Sequence, residues 1–301
     1  MQSSLRSIYF YRNFYNLLAF AHFLVQLLNK RFEIRIIGRN HVTSILHDLG
    51  AALLSSDVEV VDCSGILGPN TPLIQLPPPF KNTPEVEIHK ISEYDDDGPV
   101  CAWNWLKLGE HSGTHFDAPK HWFTGKDLPD NSTDTLDVQK VVAPVNCIDC
   151  SKESTEDPDF LLTVDGIKAW EAEHGEIQEG EWVVMRTDWD SRAGDVGKFL
   201  NFYDDAPHSP GPTAEAVQYL IDKGITGWGT QCIGTDAGCA GGMEPMYPAH
   251  NLLHLNGRFG LASLANLDKL PPKGAVLIAA PLKIEDGTGS PIRALALVPK
   301  S

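Results

Sequence analysis

The sequence has few cysteines, a deficit of basic residues and no long uninterrupted apolar run, and each shortage excludes a class of protein. Six cysteines in 301 residues are too few for the disulfide framework of a small secreted domain, so we expect a reducing compartment, the cytoplasm. The 24 Lys and Arg residues stand against 40 Asp and Glu residues, a formal net charge of -16. Because nucleic-acid binding needs a basic surface, we expect no nucleic acid as partner, which leaves a small-molecule substrate open.

The first 43 residues differ from the rest of the chain. No acidic residue precedes Glu33, and the apolar stretch from Phe14 to Leu28 is interrupted by polar residues. This stretch is shorter than the roughly 20 residues that a bilayer requires, so we expect no stable membrane span. We interpret residues 1–43 as a basic and apolar extension, for which a targeting segment, a short anchor helix and a mis-assigned start codon all fit. Residues 44–301 are predicted to form one domain.

The remaining chain alternates between patterns typical of strands and patterns typical of helices. Strand patterns cover residues 58–62, 86–91, 102–108, 141–148, 182–186, 227–233 and 275–284, and helical patterns cover 44–54, 164–174 and 213–223. This interspersion predicts an α/β domain. Two segments rich in Pro or Gly are predicted to be loops. Residues 71–84 are expected to form an ordered but irregular loop, and residues 190–212 a long functional loop.

One eleven-residue segment, HSGTHFDAPKH, places three histidines and an aspartate at odd positions only. In an extended chain, His111, His115, Asp117 and His121 would project to the same side, whereas a helix would turn Asp117 away from His115. We therefore predict a strand that runs into a turn. Gly113 is expected to allow a close approach of the backbone to a ligand.

Two imidazoles and a carboxylate that converge on one point suit Zn, Mn or Fe(II), and such a site leaves coordination positions open for water and substrate. A lone His-x3-His pair fits polar residues on an exposed strand equally well. Because Asp117 and His121 also lie at odd positions, the pattern favours a metal site.

Several other residues are candidates with two interpretations each. Asp236 follows an apolar strand and either orients a ligand histidine or forms a turn among glycines. His208, in the loop 190–212, faces either substrate or solvent. Cys147 and Cys150 are interpreted as structural cysteines at a strand end, with a metal or redox role as the alternative.

Aromatic residues flank the histidine-rich segment and form either a flat slot for a bicyclic aromatic substrate or part of the core. They are Trp103, Trp105, Phe116, Trp122 and Phe123. If the strand is regular, the even-numbered aromatic residues point away from the metal-facing side, and the turn near Pro119 is where this parity can break for Trp122.

At this point the sequence resembles the metal-dependent cyclase-like hydrolases, a family that includes bacterial kynurenine formamidases and isatin hydrolases. The matching segments are HSGTHFDAPKH at 111–121, RTDW at 186–189, GTD at 234–236, PAH at 248–250, LANLD at 264–268 and GSPIR at 289–293. The resemblance covers residues 44–299. It implies a single domain of the swivelling β/β/α type, a metal-activated water that opens an amide, and a homo-dimer or homo-tetramer.

The resemblance also implies roles for individual residues. His111, His115 and Asp117 match the family's metal ligands, and His121 matches its acid/base. His250 matches a histidine that, in two-metal formamidases, acts with a glutamate twelve residues later.

The position of that glutamate is Ala262 in this chain. A divalent cation needs anionic oxygen as well as imidazole, so we expect one ion, Mn or Zn, rather than two. His250 then lies near the substrate or orients a ligand.

The function that we expect is hydrolysis of a cyclic amide such as isatin. An arylformamidase acting on a linear formamide such as N-formylkynurenine is the alternative, and Ala262 counts against it. A non-catalytic metal-binding protein of the same fold is a third interpretation, against which the intact His121 counts.

Overall fold

The computed structural model of the protein describes residues 44–76 and 78–300. The predicted extension, residues 1–43, lies outside these ranges, so its assignment and the domain boundary at residue 44 stay predictions. A first helix, α1, spans residues 44–55 and belongs to one compact unit, while Glu59–Pro299 form a second. Within the described part of the chain, no helix is both long and apolar enough to cross a membrane.

Strands and helices alternate along the chain. The strands are β1 (Val58–Asp62), β2 (Glu87–Glu93), β3 (Ala102–Lys107), β4 (His115–Asp117), β5 (Val142–Asp149), β6 (Leu161–Leu162), β7 (Trp182–Arg186), β8 (Phe202–Tyr203), β9 (Ala206–Pro207), β10 (Gly211–Pro212), β11 (Gly227–Thr230), β12 (Phe259–Ala262), β13 (Ala275–Ile278), β14 (Gly289–Pro291) and β15 (Leu295–Pro299). The helices after α1 are α2 (Ser151–Glu156), α3 (Val164–His174), α4 (Val196–Leu200), α5 (Ala214–Asp222) and α6 (Pro248–Leu255).

The main sheet has nine strands in the order β1-β15-β13-β5-β7-β11-β12-β4-β14. Its centre, from β5 to β12, is parallel, and both flanks are antiparallel. The first four residues of β7, Trp182 to Met185, are buried and apolar because one core cluster lies on each face of the sheet. Such continuous apolar strands are typical of parallel sheets that are covered on both sides.

Side-chain caps fix where two of the covering helices begin. The Thr163 hydroxyl accepts a hydrogen bond from Gly166 N at the start of α3, and the Thr213 hydroxyl accepts one from Ala216 N at the start of α5. An N-cap of this kind satisfies a backbone N–H that has no partner within the helix.

The predicted α/β class is confirmed, and most predicted elements are present with small shifts at their ends. The strand predicted over 227–233 ends at Thr230. At the next residue the side-chain oxygen of Gln231 accepts hydrogen bonds from the backbone amides of Thr187 and Asp188. The strand predicted over 275–284 ends at Ile278, and Pro281 follows without an amide hydrogen for further pairing.

The two predicted loops differ. The described residues of 71–84 form neither helix nor strand. The prediction of one long loop over 190–212 was wrong, because this segment contains α4, β8, β9 and β10. Strands β8 and β9 form a small hairpin, and β10 pairs with β6.

Candidate metal centre

Strand β4 presents His115 and Asp117 on one face, and its neighbours leave room for both. Strands β12 and β14 pair with β4 on either side, so that Gly260 and Gly289 both lie opposite Asp117. A β carbon at Gly260 would be 2.8 Å from Asp117 Oδ2, and one at Gly289 would overlap the ring of His111. Glycine at these two positions is therefore a condition for the site.

The predicted extended segment is much shorter in the structure. Only His115–Asp117 form a strand; His111 reaches the site through a turn at Gly113, whose φ is +62°, and His121 ends a 3-10 turn that starts at Pro119. The parity prediction therefore holds for His115 and Asp117 alone. The other two histidines converge because the chain turns at both ends of β4.

The expectation for Gly113 also needs correction. A β carbon there would lie 3.2 Å from Leu67 Cδ1 and 3.3 Å from Thr71 Cγ2. Glycine is needed for its positive φ and for these protein side chains, not for the approach of a ligand.

Two histidine side chains converge on one oxygen of Asp117. His111 Nδ1 lies 2.8 Å and His115 Nε2 lies 3.3 Å from Asp117 Oδ1. His115 Nδ1 donates to the carbonyl of Gly113, so its Nε2 is the nitrogen that faces the cluster. The ligand atoms of these three residues all lie within 4.8 Å of one another, as a divalent ion requires.

The second oxygen of Asp117 supports this interpretation. Asp117 Oδ2 is buried and has no hydrogen-bond partner among the described residues. A buried carboxylate oxygen without a partner is costly, and a bound cation would remove that cost. The donor set thus fits a divalent metal.

The electrostatics of the cluster favour an ionised Asp117. Burial alone would raise the pKa of this carboxyl, but the adjacent His115 and His111 imidazoles hold it well below its usual range. Burial alone would likewise lower the pKa of His115, but Asp117 raises it above the usual value. The protein therefore keeps an anion at the base of the site.

His250 approaches the same carboxylate from helix α6. Its Nε2 lies 4.0 Å from Asp117 Oδ2, and its Nδ1 donates to Asp236 Oδ2. Asp236 also accepts the backbone amides of Ala249 and His250, so it caps the start of α6 and orients the His250 ring at once. Two interpretations of Asp236 were open, the orientation of a histidine and a turn among glycines. The contact with His250 favours the first.

His121 completes the cluster on the side of His250. Its ring centroid lies 3.8 Å from that of His111 and 5.5 Å from that of His250. Ligand atoms of Asp117, His121 and His250 also lie within 4.8 Å of one another, so Asp117 is common to two groups of potential ligands. Ala262, fully buried on β12 opposite His115, adds no ligand to either group.

A further histidine, His254, was missed by the sequence analysis. It is fully buried, its ring lies 6.0 Å from that of His121, and its Nε2 has no partner among the described residues. Burial lowers the pKa of His254 to about 4 and that of His121 well below its usual range. His254 follows His250 by one helical turn, and this spacing on α6 is the signal that could have found it.

The structure does not bring His208 into this cluster. His208 Nδ1 pairs with Asp159 Oδ2 at 2.7 Å, and its ring stacks on Tyr203 at 3.7 Å. Tyr203 lies on β8 and Asp159 lies between α2 and β6, and neither belongs to a described group of potential metal ligands. A role for His208 toward substrate stays a prediction that none of these contacts supports.

The aromatic residues divide into three environments. Phe116 is fully buried in the core, whereas Trp103 and Trp105 are exposed on β3. Trp122 borders the site, because its ring lies 4.8 Å from the ring of His250 and 5.8 Å from that of Tyr247. The turn at Pro119 breaks the parity and turns this even-numbered residue toward the cluster.

The cysteine pair lies in the core. Cys147 and Cys150 are buried and free, and burial raises the pKa of each thiol to about 12. Neither belongs to a described group of potential metal ligands. These observations fit the structural interpretation of the pair.

Comparison with known proteins agrees with this geometry. The model of the Cyclase family matches residues 48–237, and the chain belongs to this family. It is 76% identical to an isatin hydrolase of Roseibium aggregatum over 259 residues, which cover 86% of this chain and 98% of the relative. It is 31% identical to a kynurenine formamidase of Bacillus cereus over 192 residues, 63% of this chain and 77% of the relative.

A solved structure shares the fold over almost its whole length. A crystal structure of an isatin hydrolase bound to the product analogue thioisatinate superposes with a TM-score of 0.85 at 75% identity, covering 86% of this chain and 99% of the other. The predicted fold class and family are thereby confirmed.

Proposed function

We propose that the protein is a metal-dependent hydrolase that opens the cyclic amide of isatin. Water adds to the amide carbonyl carbon, the carbon–nitrogen bond breaks, and the product carries a carboxylate and an aromatic amine. The observation that carries the proposal is the position of Asp117, whose Oδ1 lies against His111 and His115 while its buried Oδ2 faces His250. One carboxylate thus joins an ion site to a second pair of histidines.

We assign a single divalent ion, Mn or Zn, to His111, His115 and Asp117. When bound, such an ion lowers the pKa of water and polarises a carbonyl group. The three residues would hold such an ion rigidly, because Asp117 is buried between β12 and β14 and because His115 is oriented by the carbonyl of Gly113.

His121 is the residue that we assign to proton transfer. Its ring lies between those of His111 and His250, and no described hydrogen bond engages its nitrogens. A neutral imidazole in this position can accept a proton from the attacking water and deliver it to the departing nitrogen. One hydrogen of the water thus reaches the nitrogen, and the other is released to solvent when the new carboxylic acid ionises.

His250 and Trp122 border the remaining side. Because Asp236 holds His250 Nδ1, the Nε2 edge of the ring is directed at Asp117 and toward the space where substrate would lie. We assign His250 to hold substrate by a hydrogen bond. Trp122, packed on the His250 ring, restricts the motion of that ring.

Assembly and location complete the proposal. We expect a homo-dimer or homo-tetramer, with a small molecule as substrate. We also expect a cytoplasmic enzyme, since all six cysteines are unpaired.

The test is the loss of isatin absorbance with purified protein that is stripped of metal and then given Mn or Zn. We expect ring opening only after an ion is restored, and the ion that restores the rate is the working metal. N-formylkynurenine serves as the control substrate for the arylformamidase alternative. If folded, metal-loaded protein hydrolyses the formamide but does not open isatin, the arylformamidase alternative replaces our proposal. Inactivity on both substrates would favour a non-catalytic protein.

A further inference from the structure

Glu110 directly precedes His111, and its side chain reaches a loop that is distant in sequence. Glu110 Oε2 accepts a hydrogen bond from the hydroxyl of Thr288 and another from the Thr288 amide. A hydroxyl has one hydrogen to donate, and a carboxylate only accepts. The hydrogen of the Thr288 hydroxyl is therefore committed to Glu110.

This commitment determines what Thr288 can do for His111. His111 Nε2 lies 3.0 Å from Thr288 Oγ1. Because the hydroxyl hydrogen is already used, Oγ1 must act as acceptor, so Nε2 carries a hydrogen. In a neutral ring, which metal binding requires, the opposite nitrogen Nδ1 then carries the lone pair. Nδ1 is also the nitrogen that lies 2.8 Å from Asp117 Oδ1.

The surrounding chain holds this arrangement in place. Gly289 opens β14 opposite Asp117, and a β carbon at this position would overlap the His111 ring. Gly287 packs against Glu110, since an added β carbon would lie 3.2 Å from Oε1. Residues 287–289 thus lie directly against Glu110 and His111.

The two metal-directed histidines differ in how their ring nitrogens are assigned. His115 donates Nδ1–H to a backbone carbonyl, that of Gly113, which is present whatever the side chains are. His111 depends instead on a side-chain hydroxyl and, through it, on a carboxylate. The orientation of His111 can therefore be lost by substitution of Glu110, whose side chain makes no described hydrogen bond with the His111 ring.

We propose that Glu110 and Thr288 are positioning residues that set the tautomer of His111, so that its Nδ1 faces the divalent ion. The proposal rests on the proposed function only in the identity of the ion site, not in the substrate. Loss of a partner that orients a ligand histidine in this way typically weakens metal affinity by roughly 10–100-fold.

The experiment is calorimetric titration of Mn²⁺ into metal-stripped protein, without substrate. We expect Thr288→Val and Glu110→Ala to weaken Mn²⁺ binding by about 10-fold or more, whereas Thr288→Ser and Glu110→Gln, which keep the hydroxyl and the acceptor oxygen, remain within about threefold of wild type. The double variant Glu110→Ala/Thr288→Val should bind no more weakly than Thr288→Val alone, because Glu110 acts through Thr288.

Thr133 provides the matched control. Its hydroxyl donates to the carbonyl of Ile284 and its amide donates to Gly287, so Thr133 anchors the same loop without a described bond to His111. Thr133→Val should leave Mn²⁺ affinity within about threefold of wild type. Circular dichroism on every variant establishes that it is folded.

Three results would overturn the proposal. The first is wild-type affinity in Thr288→Val; the second is equal weakening in Thr288→Val and Thr288→Ser; the third is a loss in Thr133→Val as large as that in Thr288→Val, which would assign the effect to loop anchoring. If isatin is not a substrate but these affinities behave as expected, only the proposed function fails. Wild-type protein that binds neither Mn²⁺ nor Zn²⁺ would overturn both.

Discussion

The site that we propose has two halves, one for ion binding and one for proton transfer, and they are built in different ways. The ion-binding half, His111, His115 and Asp117, comes from seven consecutive positions around β4. The proton-handling half, His121, His250 and His254, combines the turn after β4 with helix α6. In the first half the nitrogens of both histidines are engaged by described partners, whereas in the second half His254 Nε2 has none.

This difference separates holding an ion from moving a proton. An ion site needs fixed donors, and every contact of His111 and His115 serves to fix them. Proton transfer needs a group that is free to accept and release a proton, and the His121 ring is engaged by no described hydrogen bond. Asp117 belongs to both halves, and the predictions below test where the boundary between them lies.

The largest effect is expected for Asp117→Asn. The change removes the one anion from both groups of potential ligands, so bound metal should be lost and isatin turnover should fall by about 10³-fold or more, several kcal/mol of transition-state stabilisation. Metal content by mass spectrometry and the isatin assay measure the two effects. A variant that retains one equivalent of metal would show that the carboxylate is not the centre of the site.

His121→Gln should separate the halves. We expect metal content to stay at the wild-type level while kcat falls by roughly 10²–10⁴-fold, because only the proton acceptor is removed. His254→Gln is the comparison and should cost less, because His254 belongs to neither described group of potential ligands. If His121→Gln instead loses its metal, His121 belongs to the ion-binding half, as its distance to Asp117 and His250 also permits.

Asp236→Asn should have a smaller, mixed effect. The carboxylate accepts three N–H groups, from Ala249 N, His250 N and His250 Nδ1, and an amide with one carbonyl oxygen cannot replace it. We expect turnover to fall by about 10–100-fold with metal retained, and the lost helix cap to cost about 1 kcal/mol of unfolding free energy.

The two parts of this prediction are measured separately, by kinetics and by urea unfolding. Thr235→Ser, which keeps the hydroxyl beside His250 Nδ1, serves as control and should resemble wild type in both. Unchanged turnover in Asp236→Asn, together with lower stability, would mean that Asp236 acts as a helix cap alone.

The smallest effect is expected for His208→Gln. His208 is paired with an aspartate just as His250 is, but outside the cluster, so kcat should stay within about twofold of wild type. The hydrogen bond with Asp159 raises the pKa of His208 above its usual value. A raised pKa stabilises the folded state fully below the unfolded-state value, and this contribution disappears as pH rises through the folded-state value.

Because this stabilisation is present at low pH and lost at high pH, it is measured by the melting temperature as a function of pH. The melting temperatures of wild type and His208→Gln should differ at about pH 5.5, one unit below the ordinary histidine pKa. They should converge at alkaline pH. Asp159→Asn should reproduce the same pH dependence. A large loss of turnover in His208→Gln would place this histidine near the substrate after all and would break the contrast with His250.

Local sequence was sufficient where the partners are close in the chain. Trp182–Arg186 and Val164–His174 were predicted with the bounds that the structure has, because a continuous apolar run and a capped amphipathic helix are patterns of neighbouring residues. The ion-binding half was predicted for the same reason, since His115 and Asp117 lie two residues apart on one strand face.

Tertiary structure decided the rest. His208 and His250 each lie near an aspartate partner, yet only His250 faces the ion site, because the pairing of β4, β11 and β12 brings the start of α6 to Asp117. Likewise, no pattern in the sequence joins Glu110 to Thr288 across 178 positions. The sequence by itself predicted the ion ligands, the acid/base His121 and the family to which the chain belongs, and the comparisons confirm the family. What surrounds His121, and what orients His111, follow only from long-range packing, which no local periodicity encodes.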